Sequence, residues 1–524
     1  MRDGVRLSAN IFLPSSGGKH PTLLVRTPYN KGTRLIANYK IFIDSGFAIV
    51  VQDVRGRYGS EGVFLPFVQE ERDGEDTLHW IARQSWSNGS VAMLGGSYLG
   101  IAQWRAALTN NPHLRTISPV VAGSDEYLDR FYSPGGALKL GHRLQWIAEN
   151  FTRSGHPRPS FEQFVRHLPL RNADEYITGQ RIGFWQEALN HPSYDAYWRA
   201  RSTRERLREI SIPALIVGGW YDNYVESDLA TFAELSKRST AHRILIGPWP
   251  HNMSIPFEGV SFGGESGAPL RHLQLRWFEH WLRGPRPLPQ FSEPPVRIFV
   301  MGLNRWRDEE AWPIARTRFT PLYVGSGKSL QSETRRTGQD QFVYDPRNPV
   351  PTRGGAICCN PKVFPWGPMD QRAIEAREDV LVYSTPPLRQ DLEVTGDVRA
   401  VLYVATSTPD TDFTAKLVDV FPDGHARNLC DGILRMRYRK GLANPELVKP
   451  GEIYAITVPV GVTSNVFKAG HRIRVEISSS NFPRFDRNPN TGRPIADETS
   501  FQTARQVVYY GTSHPSHILL PVVP

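Results

Sequence analysis

Cysteine is almost absent, with only Cys358, Cys359 and Cys430 in 524 residues. So few exclude a disulfide framework. An adjacent pair rarely bridges, and no C-x-x-C or Cys/His spacing suggests zinc. The expectation is a reducing compartment, the cytoplasm, with no metal and no cofactor. No run of 18 apolar residues occurs, so no membrane span is expected. No basic segment followed by an apolar one opens the chain, so no secretory signal is visible. Dense Lys/Arg tracts are also missing. The net charge of +10 is spread along the sequence, mostly on arginine. That argues against a nucleic-acid surface and leaves attraction of anionic substrates as a weaker reading. Neither an internal repeat nor a low-complexity segment is present.

What is there begins with Gly95-Gly96-Ser97-Tyr98-Leu99-Gly100. An apolar run, Val91 to Leu94, precedes it and a helical stretch, Ile101 to Leu108, follows. A strand, a glycine-flanked serine and a helix form the sequence pattern of a nucleophile elbow. Leu99 stands where strict G-x-S-x-G has its second glycine. Ile212 to Asp222 reads as a buried strand ending in an acid, and His242 to His251 as a buried strand ending in a loop histidine. Open α/β sheets build their sites at the carboxyl ends of parallel strands. Ser97, Asp222 and His251 stand there in the chain order of an α/β-hydrolase. Serine needs a base to take its proton, and the acid would hold the histidine tautomer. The backbone N–H of Tyr98 is a natural oxyanion donor. No HGGG-type cluster follows the strand Pro21 to Arg26, so a second donor is open, the Tyr29 phenol being one candidate.

Length and periodicity suggest two or three domains. Residues 1–125 and 211–310 alternate strand and helix patterns, as a parallel sheet requires. Between them, residues 126–210 lose the strand signal and place aromatics among Arg, Glu and Gln, as amphipathic helices do. An insertion there is where α/β-hydrolases carry a helical cap. Gly284 to Pro295 reads as a Pro-rich linker. Residues 311–524 hold short β runs between Gly, Pro, Asn and Asp turns, the pattern of a β-sandwich or jelly roll.

The strings Arg26-Thr27-Pro28-Tyr29-Asn30, Val51 to Gly62, the elbow, Gly219-Trp220-Tyr221-Asp222 and Gly247-Pro248-Trp249-Pro250-His251 together resemble the CocE/NonD hydrolases. Asp412 to Val420 and Ser478 to Pro483 extend the likeness to the C-terminal part. The resemblance implies an α/β-hydrolase domain with an inserted helical cap and a C-terminal all-β jelly roll. It implies Ser97 as nucleophile, Asp222 and His251 as partners, and an oxyanion hole from the Tyr98 N–H and the Tyr29 hydroxyl. Relatives usually carry a further short stretch, an edge strand or hairpin, before the segment matching Met1 to Leu7.

Tyr224, Phe131 and Trp146 are candidates to line a substrate pocket suited to aromatic acyl groups, against the alternative that they are core. Asp125, Glu126, Asp129, Glu226 and Asp228 are the carboxylates that could receive a substrate ammonium. Asp53 and Arg55-Gly56 read as structural loop residues. The expected activity is hydrolysis of small-molecule carboxylic esters, or amides, through an acyl-enzyme. The alternatives are a β-lactam side-chain acylase, an α-amino-acid ester hydrolase or an X-prolyl dipeptidyl aminopeptidase. From a different class comes a catalytically silent jelly-roll binding module. Homodimerisation stays open.

Overall fold

The computed structural model describes residues 1–284, 294–358 and 360–524. Nine strands form one sheet in the order β1-β3-β2-β4-β5-β6-β7-β8-β9. They are β1 (Ala9–Phe12), β2 (His20–Thr27), β3 (Ala48–Asp53), β4 (Ser87–Gly96), β5 (Leu114–Val120), β6 (Leu215–Tyr221), β7 (Arg243–Pro250), β8 (Val296–Val300) and β9 (Arg305–Glu309). From β3 to β8 every neighbouring pair is parallel, and β1 and β9 close the edges antiparallel. The central strands are buried on both faces, so β2 and β3 have no exposed residue. That is why they read as apolar runs without alternation. Helices α1 (Glu70–Ala82), α2 (Tyr98–Ala107), α3 (Leu140–Phe151), α4 (Val225–Ser236) and α5 (Leu270–Arg283) belong to this part of the chain.

Between β5 and β6 the described residues hold only helices and turns, among them α3 and the segments Phe161–Val165, Ala173–Thr178 and Gly183–Asn190. The insertion's apolar residues, among them Tyr127, Phe131, Trp146, Trp185 and Trp198, form one core with Phe67, Tyr98 and Ile101 of the sheet domain and with Phe482. A second sheet, eleven-stranded and almost wholly antiparallel, runs from Arg318–Gly325 to His517–Val523. The architecture is the α/β-hydrolase with a helical insertion and a C-terminal all-β jelly-roll part.

The β-domain grips both other parts. The Tyr221 hydroxyl donates to the Asn428 carbonyl at 3.0 Å. The insertion is tied by Leu138 N–H to Asp486 Oδ1 at 2.8 Å and by Gly141 N–H to the Pro483 carbonyl at 2.7 Å. Arg435 holds Asp486 in place, pairing with it at 2.8 Å and with Asp412 at 2.9 Å.

Strand β9 carries charge at four of its five positions, and the strands at 338–344 and 504–510 alternate buried with more exposed residues. One sequence expectation changes here. Cys358 is disulfide-bonded, against the expectation of no bridge. Cys430 is free and buried. Of the Pro-rich linker, residues 285–293 lie outside the described residues. No described helix is long and apolar enough to cross a membrane.

Candidate active site

Ser97 sits between β4 and α2 with φ 57° and ψ −124°. A non-glycine residue pays about 1–3 kcal/mol for such a backbone, so its surroundings must hold it there. Its carbonyl accepts the Gly100 and Ile101 amides at 2.9 and 3.1 Å, and its own amide donates to Val120. The Tyr98 N–H is left among the first-turn donors that have no intrahelical acceptor. Gly95 has φ 136°, and the space a Cβ would fill there is taken by the Leu99 side chain. A Cβ on Gly100 would collide with the Cβ of Ala122. The helix therefore approaches β5 through Gly100, and Leu99 in place of a glycine is accommodated on the other side of the turn.

Asp222 follows β6 and is fully buried. Its Oδ2 accepts the Tyr224 amide at 2.9 Å and its Oδ1 accepts His251 Nδ1 at 2.6 Å. That contact makes Nδ1 the donor and leaves Nε2 as the free acceptor of the ring. His251 follows β7, and with Ser97 it lines one cavity of about 540 Å³. The structure thus places the three residues of the predicted triad after β4, β6 and β7, at the carboxyl ends of parallel strands.

The Tyr29 hydroxyl accepts Trp146 Nε1–H at 3.1 Å. The residue as a whole is 40% exposed, yet desolvation around the oxygen pushes the phenol up to about 12. Ser97 lies within electrostatic reach of that oxygen. Tyr98 behaves differently. Its phenol is buried, donates to Glu70 Oε1 at 2.8 Å and accepts the Phe67 amide at 3.1 Å, while Glu70 also pairs with the buried Arg26. The Tyr98 phenol is thus spent on the fold, while its amide, at the first helical position, has no intrahelical acceptor.

Asp53 and Arg55 anchor the loops around Tyr29. Asp53 accepts the Lys31 amide at 2.7 Å, and Arg55 pairs with Asp73 at 2.6 Å. Arg57 links the Tyr29 turn to the helical insertion by donating to the Pro28 and Asn150 carbonyls.

The three pocket candidates separate. The Tyr224 ring centroid lies 5.5 Å from that of His251, and Trp146 touches Tyr29 directly. Phe131 packs against Trp198 at 5.4 Å, within the core of the insertion. Sequence reasoning missed Arg143. Its guanidinium lies 4.7 Å from the Phe131 ring and 5.5 Å from Trp146, and desolvation lowers it to about 10. An arginine within an amphipathic helix carried no signal of this.

The acidic residues at the start of the insertion are consumed by structure. Asp125 accepts the Tyr194 and Ser202 hydroxyls at 2.8 and 2.6 Å, and Asp129 accepts the Asp125 amide at 2.7 Å. Glu126 faces Arg130 at 3.6 Å. Asp228 is buried, whereas Glu226 is exposed. Among the described residues no group of three or more His, Cys, Asp or Glu is placed to hold a metal ion.

Residues 3–253 match the model of the X-Pro dipeptidyl-peptidase S15 family, and residues 290–519 match that of the X-Pro dipeptidyl-peptidase C-terminal non-catalytic domain. The chain is 42% identical to cocaine esterase of Rhodococcus sp. (strain MB1 Bresler), over 100% of this chain and 97% of that protein. The solved structure of an α-amino acid ester hydrolase superposes with a TM-score of 0.88 at 27% identity, covering 100% of this chain and 95% of that one. An aminopeptidase from a marine sediment archaeon, Thaumarchaeota archaeon, gives 0.89 at 27% identity with the same coverage. A chain with this fold and these likenesses belongs to the CocE/NonD family of serine hydrolases and is an enzyme.

Proposed function

We propose that this enzyme hydrolyses small-molecule carboxylic esters through an acyl-enzyme on Ser97. The observation that carries the reading is the 2.6 Å contact between His251 Nδ1 and Asp222 Oδ1, at a cavity that His251 shares with Ser97. His251 Nε2 takes the Ser97 proton as Oγ attacks the ester carbonyl. Asp222 stabilises the imidazolium that results. The Tyr98 amide and the Tyr29 hydroxyl donate to the oxyanion, and Trp146 holds the Tyr29 oxygen from behind. The alcohol leaves with the proton from His251. Water, deprotonated by the same ring, then attacks the acyl-enzyme and frees the acid. A silent binding module does not fit an enzyme family.

Ester substrates are favoured over those needing an ammonium site, because of the five candidate carboxylates Asp125, Glu126 and Asp129 are engaged by neighbouring groups and Asp228 is buried, leaving Glu226 alone. The aromatic surround of Trp146 and Tyr224 favours an aromatic acyl group.

The test is turnover of p-nitrophenyl acetate, butyrate and benzoate beside phenylglycine methyl ester, by wild type and Ser97→Ala. Turnover that Ser97→Ala abolishes, with benzoate preferred, is expected. Preference for the phenylglycine ester moves the assignment to amino-acid esters. Turnover that survives in Ser97→Ala, or failure of a fluorophosphonate to label Ser97, refutes it.

A further inference from the structure

Neither Tyr29 nor Trp146 lines the cavity on Ser97 and His251. Part of its wall is built by Asn38 and Tyr39 and by the first turn of α5, which contributes Leu270 and Arg271. At about 540 Å³ it is of the size that holds small-molecule ligands. Among the described residues no Asp or Glu lines it, and Arg271 is the one permanent charge among those in its wall.

Arg271 is partly buried and held in place without a counter-charge. Its Nη1 donates to Gln274 Oε1 at 2.8 Å, and the buried Gln274 is itself fixed by donating to Ser118 Oγ at 2.9 Å. The guanidinium carbon lies 5.3 Å from the Tyr39 ring centroid. Among the described residues no carboxylate is within ion-pair distance of it, and the first turn of α5 has no acid. A guanidinium has five N–H donors in a planar fork that matches a carboxylate, and one of them is used here. Elsewhere in the fold, buried arginines such as Arg26 and Arg435 meet acids. Desolvation without a partner lowers the affinity of Arg271 for its proton, the opposite of what a paired arginine shows.

We propose that this cavity is a substrate subsite for anionic esters, in which Arg271 binds a carboxylate on one arm of the substrate while Ser97 and His251 act on the ester bond. The site rests on the hydrolase reading above and narrows it to a substrate class. The rigid backing by Gln274 and Tyr39 means that little side-chain freedom is lost when the anion arrives.

Two substrate pairs test it on the full chain. One carries the charge on the acyl arm, p-nitrophenyl hemiglutarate against p-nitrophenyl valerate. The other carries it on the alcohol, 4-acetoxybenzoate against its methyl ester. In Arg271→Gln the ratio of kcat/KM for the anionic over the neutral member is expected to fall about 10- to 100-fold in one pair, which names the arm. Arg271→Lys should restore part of it. A ratio unchanged in both pairs, or an equal loss on charged and neutral esters, overturns the proposal. Binding of monomethyl glutarate to Ser97→Ala, followed by tryptophan fluorescence, needs no turnover. Binding that Arg271→Gln removes supports the subsite even if no ester is hydrolysed, a result that would refute only the hydrolase reading. Equal binding with and without Arg271 overturns the subsite.

Discussion

Tyr29 and Trp146 act as one hydrogen-bonded unit although they are far apart in sequence. The indole fills one lone-pair direction of the phenol oxygen, so its proton is free to point at a developing oxyanion. Tyr29→Phe removes that donor alone. The expected result is a fall in kcat of about 100- to 1,000-fold with KM nearly unchanged, measured with p-nitrophenyl benzoate. Burial pushes the phenol up to about 12, so it stays protonated in any ordinary assay. The ratio of wild-type to Tyr29→Phe activity should therefore be constant from pH 7 to 10. A ratio that collapses over that range removes Tyr29 from the oxyanion hole. In the sequence Tyr29 was one residue beside a proline, a candidate donor because no HGGG-type cluster follows the first buried strand, and the family likeness implied the same role. Arg143 had no such signal.

At the scale of elements, the turn from β4 to α2 concentrates strain. Ser97 at φ 57° is followed across the sheet by Val121 at φ 44°, an unusual backbone for a β-branched residue. Val121 is held there by donating its amide to Val217 at 2.7 Å. Such a turn tolerates no extra atom, because α2 touches β5 through Gly100 and Ala122. Gly100→Ala is expected to cost about 1–3 kcal/mol by overpacking and to lower kcat by displacing Ser97. Urea unfolding and ester turnover check both effects, and a fully active, fully stable Gly100→Ala would refute this account of the turn. The strand-turn-helix pattern and the two acid- and histidine-ended strands were legible because each depends on neighbours within about ten residues. The strand β9 was not, since four of its five residues are charged and no apolar run marks it.

Across the whole molecule, ionisable groups in dry places make stability depend on pH. His242, just before β7, is buried, and its Nδ1 has no hydrogen-bond partner. Desolvation lowers it to about 4, against an ordinary value of 6.5. The folded state then binds fewer protons than the unfolded chain between those values. This contribution is complete above pH 6.5 and is lost as pH falls toward 4. His242→Leu is expected to lose about 2 kcal/mol less stability than wild type between pH 7 and 4.5, as read by urea melts at both pH values. Equal losses would mean that His242 is protonated in the folded protein. At the same scale, Arg435, Asp412 and Asp486 join the β-domain to the helical insertion, and through Leu138 they fix the entry to α3, which carries Trp146.

The sequence by itself determined the parallel sheet, the sharp turn at Ser97 and the positions of Asp222 and His251, because strand burial and turn sterics are local. Tertiary structure alone decided what touches what across long separations. It set the Trp146 indole on Tyr29, turned Asp125 and Asp129 into structural acceptors, and placed Arg271 without a counter-ion in the wall of the cavity that Ser97 lines. Whether a charged side chain is spent on the fold or left for a ligand depends on its neighbours in space, and those are assembled only when the three parts of the chain pack together.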